Sequence, residues 1–114
     1  MTTYFITRHP GAIEWAKQNL LHYDVHAAHL LDVSLLQSGD TVVGTLPINL
    51  VNQLNLSGVG YIHLSLEIPP SLRGVELTAE QLRSCNASLE KFEVNKLPLD
   101  AGAFFRKGSV NAKN

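Results

Sequence analysis

At 114 residues the chain has room for one hydrophobic core and no separate substrate domain. With 45% hydrophobic and 17% charged residues it has the composition of a soluble globular protein, and no stretch approaches the ~20 apolar residues of a membrane span. A net charge of −1 argues against the basic face of a general nucleic-acid binder, double-stranded DNA included, so an anionic ligand would be held locally by a few groups.

The opening residues lack a basic region followed by an apolar run, so no signal peptide is expected. The single Cys85 excludes an internal disulfide and fits a reducing cytoplasm. Thr2 to Thr7 predicts a first strand, with Thr3 to Ile6 aromatic and β-branched at its centre. Arg8-His9-Pro10-Gly11 follows, and a helical pattern runs from Ala12 to about His22, with Ile13, Ala16 and Leu20 expected to face the sheet. Trp15 lies off that stripe, and core packing of some kind is its expected role. Thr7 to Gly11 therefore falls at the carboxyl end of a strand and the amino end of a helix. That is where ligands bind in open α/β sheets, and where free N–H groups and the helix dipole favour an anion.

Val25 to Leu31 predicts a second strand, and Asp32 to Ser38 is ambiguous with a helical turn. Ser38-Gly39-Asp40 is a turn signal before a third strand, Thr41 to Leu46. Pro47, Leu50, Val51 and Leu54 keep helical spacing, Pro47 suits a first helical turn, and Gly58 can end that helix. A fourth strand, Tyr61 to Leu66, alternates: Ile62, Leu64 and Leu66 take one face, Tyr61, His63 and Ser65 the other. Thr78 to Gln81 reads as a capping box, and Leu82, Cys85, Leu89 and Phe92 predict a helix to near Glu93. No regular pattern follows from Asn95, and Arg106 to Asn114 reads as a frayed tail.

The fold class these elements predict is α/β, a small Rossmann-like, mainly parallel sheet flanked by helices. The expected division is a domain over residues 1–94 and an irregular tail over 95–114. The junction Gly44 to Asn49 repeats the geometry of the first, so two helix amino ends would share one crevice. Arg8 brings a fixed cation there and His9 a proton carrier near neutral pH. His22, His26 and His29 cross a helix–strand boundary and need not converge, and no Cys or carboxylate cluster completes a metal set, so no metal or other cofactor is expected. His63 sits near the middle of the fourth strand on its more polar face.

Four blocks carry a family resemblance: Thr3 to Ala12 with Trp15, Gly39 to Pro47, Tyr61 to Leu66, and Arg73 to Thr78. Together they resemble a small accessory family of type III CRISPR loci, of the Csx group, over about Thr3 to Val94. That family is similar to the CRISPR-associated Rossmann-fold sensors. The resemblance implies a homodimer that binds cyclic oligoadenylate, with cyclic tetra-adenylate the expected ring, and cleaves it as a ring nuclease. Arg8 and His9 are then the expected catalytic pair, Arg8 on the phosphate oxygens and His9 on the proton. Thr7, Gly11, Thr45, Pro47, Asn49 and His63 are the expected ligand-binding residues. The ribose 2′-hydroxyl beside each phosphate supplies the nucleophile, so the scheme requires no metal.

Two other readings share this turn. A non-catalytic binder that sequesters the messenger needs the same grip. Arg-His-Pro-Gly after a first strand is also similar to the Arg-His-Gly loop of histidine phosphatases. Pro10 departs from that pattern, and the chain is short for the helical cap and later catalytic partners of that superfamily.

Overall fold

In the computed structural model, which describes residues 1–30 and 32–105, five strands form one sheet. They are β1 (Thr3–Ile6), β2 (Val25–Ala27), β3 (Thr41–Gly44), β4 (Gly60–Ser65) and β5 (Ser88–Phe92). Their order is β2-β1-β3-β4-β5, and every neighbouring pair is parallel except β4 with β5. The helices are α1 (Pro10–Gln18), α2 (Ile48–Leu56), α3 (Ala79–Ser84) and α4 (Ala101–Phe104). This is the α/β, Rossmann-like, mostly parallel sheet that the alternation of patterns predicts.

Successive side chains on a strand point to opposite faces, and here both faces are covered. Phe5, Val43 and Leu64 pack with Ala12, Trp15 and Ala16 of α1 and Leu82 of α3. Ile6, Val42 and Tyr61 pack with Val51 and Leu54 of α2. Trp15 is thus a core residue. Asp40, the buried carboxylate before β3, accepts the backbone N–H groups of Thr2 and Gln37, each at 2.9 Å. These bonds, Gln37 foremost and then Thr2, hold its carboxyl below the usual range.

α1 and α3 end earlier than their apolar spacing predicts, while α2 ends at the expected Gly58. α1 begins at Pro10, which needs no N–H in a first helical turn, and stops at Gln18 rather than His22. Leu20 then takes φ 57 and is 88% exposed instead of facing the sheet, while the Leu21 N–H reaches the Ala16 carbonyl at 2.9 Å. The same closure ends α2 at Gly58 (φ 78), with Val59 N–H donating to Leu54 O at 3.0 Å. It also ends α3 at Asn86 (φ 56), with Ala87 N–H donating to Leu82 O at 3.0 Å. Each is a left-handed cap of the Schellman type.

The third closure overturns the expected long helix to Glu93. Thr78 and Gln81 do make a capping box, bonding at 3.2 Å and 3.0 Å. After Asn86 reverses the chain, Leu89 and Phe92 belong to β5, opposite Leu64 and Tyr61 of β4. An i, i+3 apolar pair has become part of an alternating edge strand, because pairing with β4 satisfies backbone groups that α3 no longer can. Five further bounds differ: β1 is one residue shorter at each end than expected, and β4 begins and ends one residue earlier. β2 stops at Ala27, with Leu31 outside the described residues. β3 stops at Gly44, and Pro47 is the N-cap of α2 rather than its first residue. The ambiguous stretch holds a 3-10 turn over Val33–Leu35, capped by Asp32. α4 lies in the region expected to be irregular, and the expected frayed tail, Arg106 to Asn114, lies outside the described residues. Among the described residues no helix is long and apolar enough to cross a membrane.

Candidate functional site

β1 and β3 are neighbours, yet α1 leads from β1 to β2 on one side and α2 leads from β3 to β4 on the other. Their carboxyl ends open a crevice where the strand order reverses, which is the ligand-binding position of such sheets.

The first junction is held by its backbone. Thr7 N–H donates to Ala27 O at 3.0 Å, and Thr7 O accepts the His26 ring Nε2–H at 2.9 Å. The Thr7 hydroxyl accepts the His9 N–H at 3.2 Å, which sets the turn. The His9 carbonyl receives the N–H groups of Ala12 and Ile13 at 3.0 Å and 3.3 Å. The His9 imidazole makes no capping bond to α1, and both Arg8 and His9 are exposed. Among the described residues Arg8 forms no ion pair. The turn therefore presents a guanidinium and an imidazole whose bonds are free for a ligand.

The second junction approaches the first closely. A Cβ on Gly44 would stand 2.8 Å from the Ile6 carbonyl oxygen, so only glycine lets β3 end beside β1 here. Beyond it, the buried Tyr61 hydroxyl holds the turn from beneath. It accepts the Leu46 N–H at 2.8 Å, donates to Gly44 O at 2.9 Å, and lies 2.7 Å from His63 Nδ1. One hydroxyl proton and two lone pairs fill these three bonds only if His63 donates from Nδ1, so the network assigns that tautomer. Burial pushes the Tyr61 hydroxyl pKa up, against a smaller downward pull from the Leu46 N–H.

Two clefts meet at these junctions. One, of about 300 Å³, is polar and lined by Thr7, Arg8, His9, His29 and Thr45 among others. The other, of about 260 Å³, shares Thr7, His9 and Thr45 but is otherwise walled by apolar side chains, including Leu64, Leu66, Val75 and Leu77. Pro47 caps α2 and Asn49 is exposed on its first turn; both lie outside these two walls. Gly11 packs against the segment before α3, where a Cβ would overlap the Leu77 carbonyl oxygen, so it fixes a wall rather than lining either cleft. His63 is on the α2 face, bonded to Tyr61 and edge-on to Phe92 at 6.0 Å between ring centroids.

With this geometry in place, the comparison with known proteins is specific on one point. A family model described as "Putative CRISPR-associated protein (Cas_VVA1548)" matches residues 4–95. The chain belongs to this CRISPR-associated family. The matched span runs from Tyr4 through all of β5, and so contains both junctions and both clefts. No curated protein and no solved structure matches the chain.

Within this family member, the histidines divide their work. His26 holds the Thr7 carbonyl, and His22 lies 3.5 Å from Asp24. His29, weighed from the sequence only as a metal ligand, lines the polar cleft beside Arg8 and His9. Among the described residues no three His, Cys, Asp or Glu side chains are grouped to hold a metal. His29 follows β2, a parallel strand beside β1, so the carboxyl-end rule that pointed to Thr7 and Thr45 points to it as well. Tyr61 carried no local signal of a site, because its partners, the Leu46 N–H and the Gly44 carbonyl, come from the neighbouring strand and its turn.

Proposed function

We propose that this CRISPR-associated chain binds cyclic oligoadenylate as a homodimer, with cyclic tetra-adenylate the expected ring, and opens it as a ring nuclease. The observation that carries this reading is the convergence of Arg8, His9 and His29 with the Thr7 and Thr45 hydroxyls at the reversal point of the sheet. A ring with internal two-fold symmetry suits a two-fold dimer, in which each subunit contributes the same site.

The chemistry follows from the ligand's own groups. The ribose 2′-oxygen attacks the adjacent phosphorus, a P–O2′ bond forms, and the P–O5′ bond breaks. The 2′-hydroxyl loses its proton to a base, and the departing 5′-oxygen gains one from an acid. The product is a linear oligoadenylate with a 2′,3′-cyclic phosphate and a 5′-hydroxyl. Arg8 steadies the phosphate oxygens as charge builds on them. Two imidazoles in one cleft, His9 and His29, supply an acceptor and a donor for the two protons. Thr7 and Thr45 orient the ribose so that attack is in line. Attacking and leaving groups both belong to the ligand, so no metal-bound water enters the scheme.

Incubation with cyclic tetra-adenylate in EDTA, followed by chromatographic resolution of products, tests this. Linear fragments ending in a 2′,3′-cyclic phosphate are expected. Intact ring retained on the protein makes it a sequestering binder, and a ring neither retained nor cut refutes the reading.

A further inference from the structure

The apolar cleft is not used by any step above. It adjoins the polar cleft along a shared rim of Thr7, His9 and Thr45. Beyond that rim, Leu64 and Leu66 of the β4 region face Val75 and Leu77 across about 260 Å³, with Leu82 of α3 closing one side. Val75 is 54% exposed, an apolar side chain left half open to solvent at the edge of the cleft. The far wall is fixed, because Gly11 brings the Leu77 backbone directly onto α1. A ligand that fills both clefts must be anionic at one end and a compact apolar body at the other, with hydrogen-bonding groups between them.

We propose that this cleft is a nucleobase subsite: it takes the purine of a nucleotide whose phosphate lies by Arg8 and whose ribose meets the Thr7 and Thr45 hydroxyls. The assignment rests on the nucleotide ligand of the proposed function and adds which moiety goes where. Ligand pockets of this kind are mostly apolar, with a few polar groups that fix orientation. Here the polar groups are confined to the rim, so the walls grip the flat faces of the ring. A hydrocarbon-tailed anion would match the apolar walls and the cation but offer nothing to the Thr45 hydroxyl or to the O–H of Thr7, whose oxygen already accepts the His9 N–H.

The probe is adenosine 5′-monophosphate, compared with ribose 5-phosphate and octanoate, on protein with labelled methyl groups observed by NMR. The purine should shift the methyl signals of Leu64, Leu66, Val75 and Leu77 through its ring current. Ribose 5-phosphate should leave those methyls in place while moving the methyl signals of Thr7 and Thr45. Val75→Asn, neutral and on an exposed position, should weaken adenosine 5′-monophosphate about three- to tenfold and leave ribose 5-phosphate unchanged. Identical methyl spectra for the two phosphates, tighter binding of octanoate, or no methyl shift at millimolar nucleotide would each overturn the assignment. The base subsite stands if these shifts occur while cyclic tetra-adenylate is left uncut, an outcome that removes only the ring-opening step. Conversely, ring cleavage at the wild-type rate by Val75→Asn, with unmoved methyls, removes the subsite and leaves the ring-opening step.

Discussion

Replacing Tyr61 by Phe removes one oxygen and keeps the buried ring, so its effects trace to three hydrogen bonds. Leu46 N–H loses its acceptor, Gly44 O loses a donor, and His63 Nδ1–H is left facing carbon. A buried group left without a partner costs about 1–3 kcal/mol. Gly44 is fully buried, whereas Leu46 and His63 are only half-buried and can recruit water. The total should therefore be about 2–4 kcal/mol rather than three full penalties. A domain of this size typically has about 5–15 kcal/mol in hand, so the variant folds, with a melting temperature about 10 °C or more below that of the parent. The pH dependence separates this account from a simple packing defect. Burial raises the folded-state pKa of Tyr61, so its contribution is fully present below the unfolded value of 10.0 and is lost as pH rises through the folded value. The gap between parent and Tyr61→Phe, read from urea midpoints, should be constant near neutrality and shrink above pH 10. Because the hydroxyl holds the turn that carries Thr45, nucleotide affinity should fall at temperatures where the variant is fully folded. A loss below about 0.5 kcal/mol, with a flat gap through pH 11, would refute the three-bond arrangement.

Four other outcomes are expected. Gly11→Ala gains about 0.5–1 kcal/mol of helix propensity but must displace the Leu77 backbone, so urea unfolding should show a net loss of about 1–2 kcal/mol, and a gain would refute the close contact. Arg8→Ala should weaken cyclic tetra-adenylate by about one to two orders of magnitude by calorimetry, through loss of a charge-assisted contact. His9→Ala should leave affinity and melting nearly unchanged while the single-turnover rate falls on the order of 10²–10⁴-fold; cleavage at the parent rate would end its proton-transfer role. Asp40→Asn should melt below the parent at pH 7. That gap should narrow as pH falls below about 4, because the lowered Asp40 pKa places its stabilisation above the unfolded value of 3.8 and removes it on acidification.

The strands of the central sheet were legible because two-residue alternation and β-branched runs act locally. Phe5 against Ile6 and Val42 against Val43 already carry the two faces of the sheet in their spacing. The site followed from the same local logic: Thr7 and Thr45 sit just past strand ends, and a parallel pairing places them side by side. What failed was the length of helices. Leu20 and Asn86 take left-handed conformations, and a leucine gives no hint of one. Asn86 is a known substitute for glycine at that position, but it was outweighed by the spacing of Leu82, Cys85, Leu89 and Phe92. Leu89 and Phe92 chose β5 because β4 offered an open edge, a tertiary fact with no local signature. The close approach of Gly11 to a backbone carbonyl more than sixty residues later in the chain has no local signature either. Tyr61 and His63 were separable only once the Gly44 and Leu46 backbone stood above them.

The central place of β1 also shapes how the chain is made. Thr3 to Ile6 leaves the ribosome ahead of both its partners, Val25–Ala27 and Thr41–Gly44. At about 5–20 residues per second, the interval before its second neighbour is synthesised is about 2–8 s. For that time an apolar, β-prone segment has one or both edges unpaired, within reach of other nascent chains or of a chaperone. The pairing that ends this exposure is non-local, the kind of contact whose loop-closure entropy slows folding. Asp40 tightens the same event, since its carboxylate joins the Thr2 backbone to the turn that launches β3. The Thr2 backbone is thereby secured at the moment the sheet closes around β1.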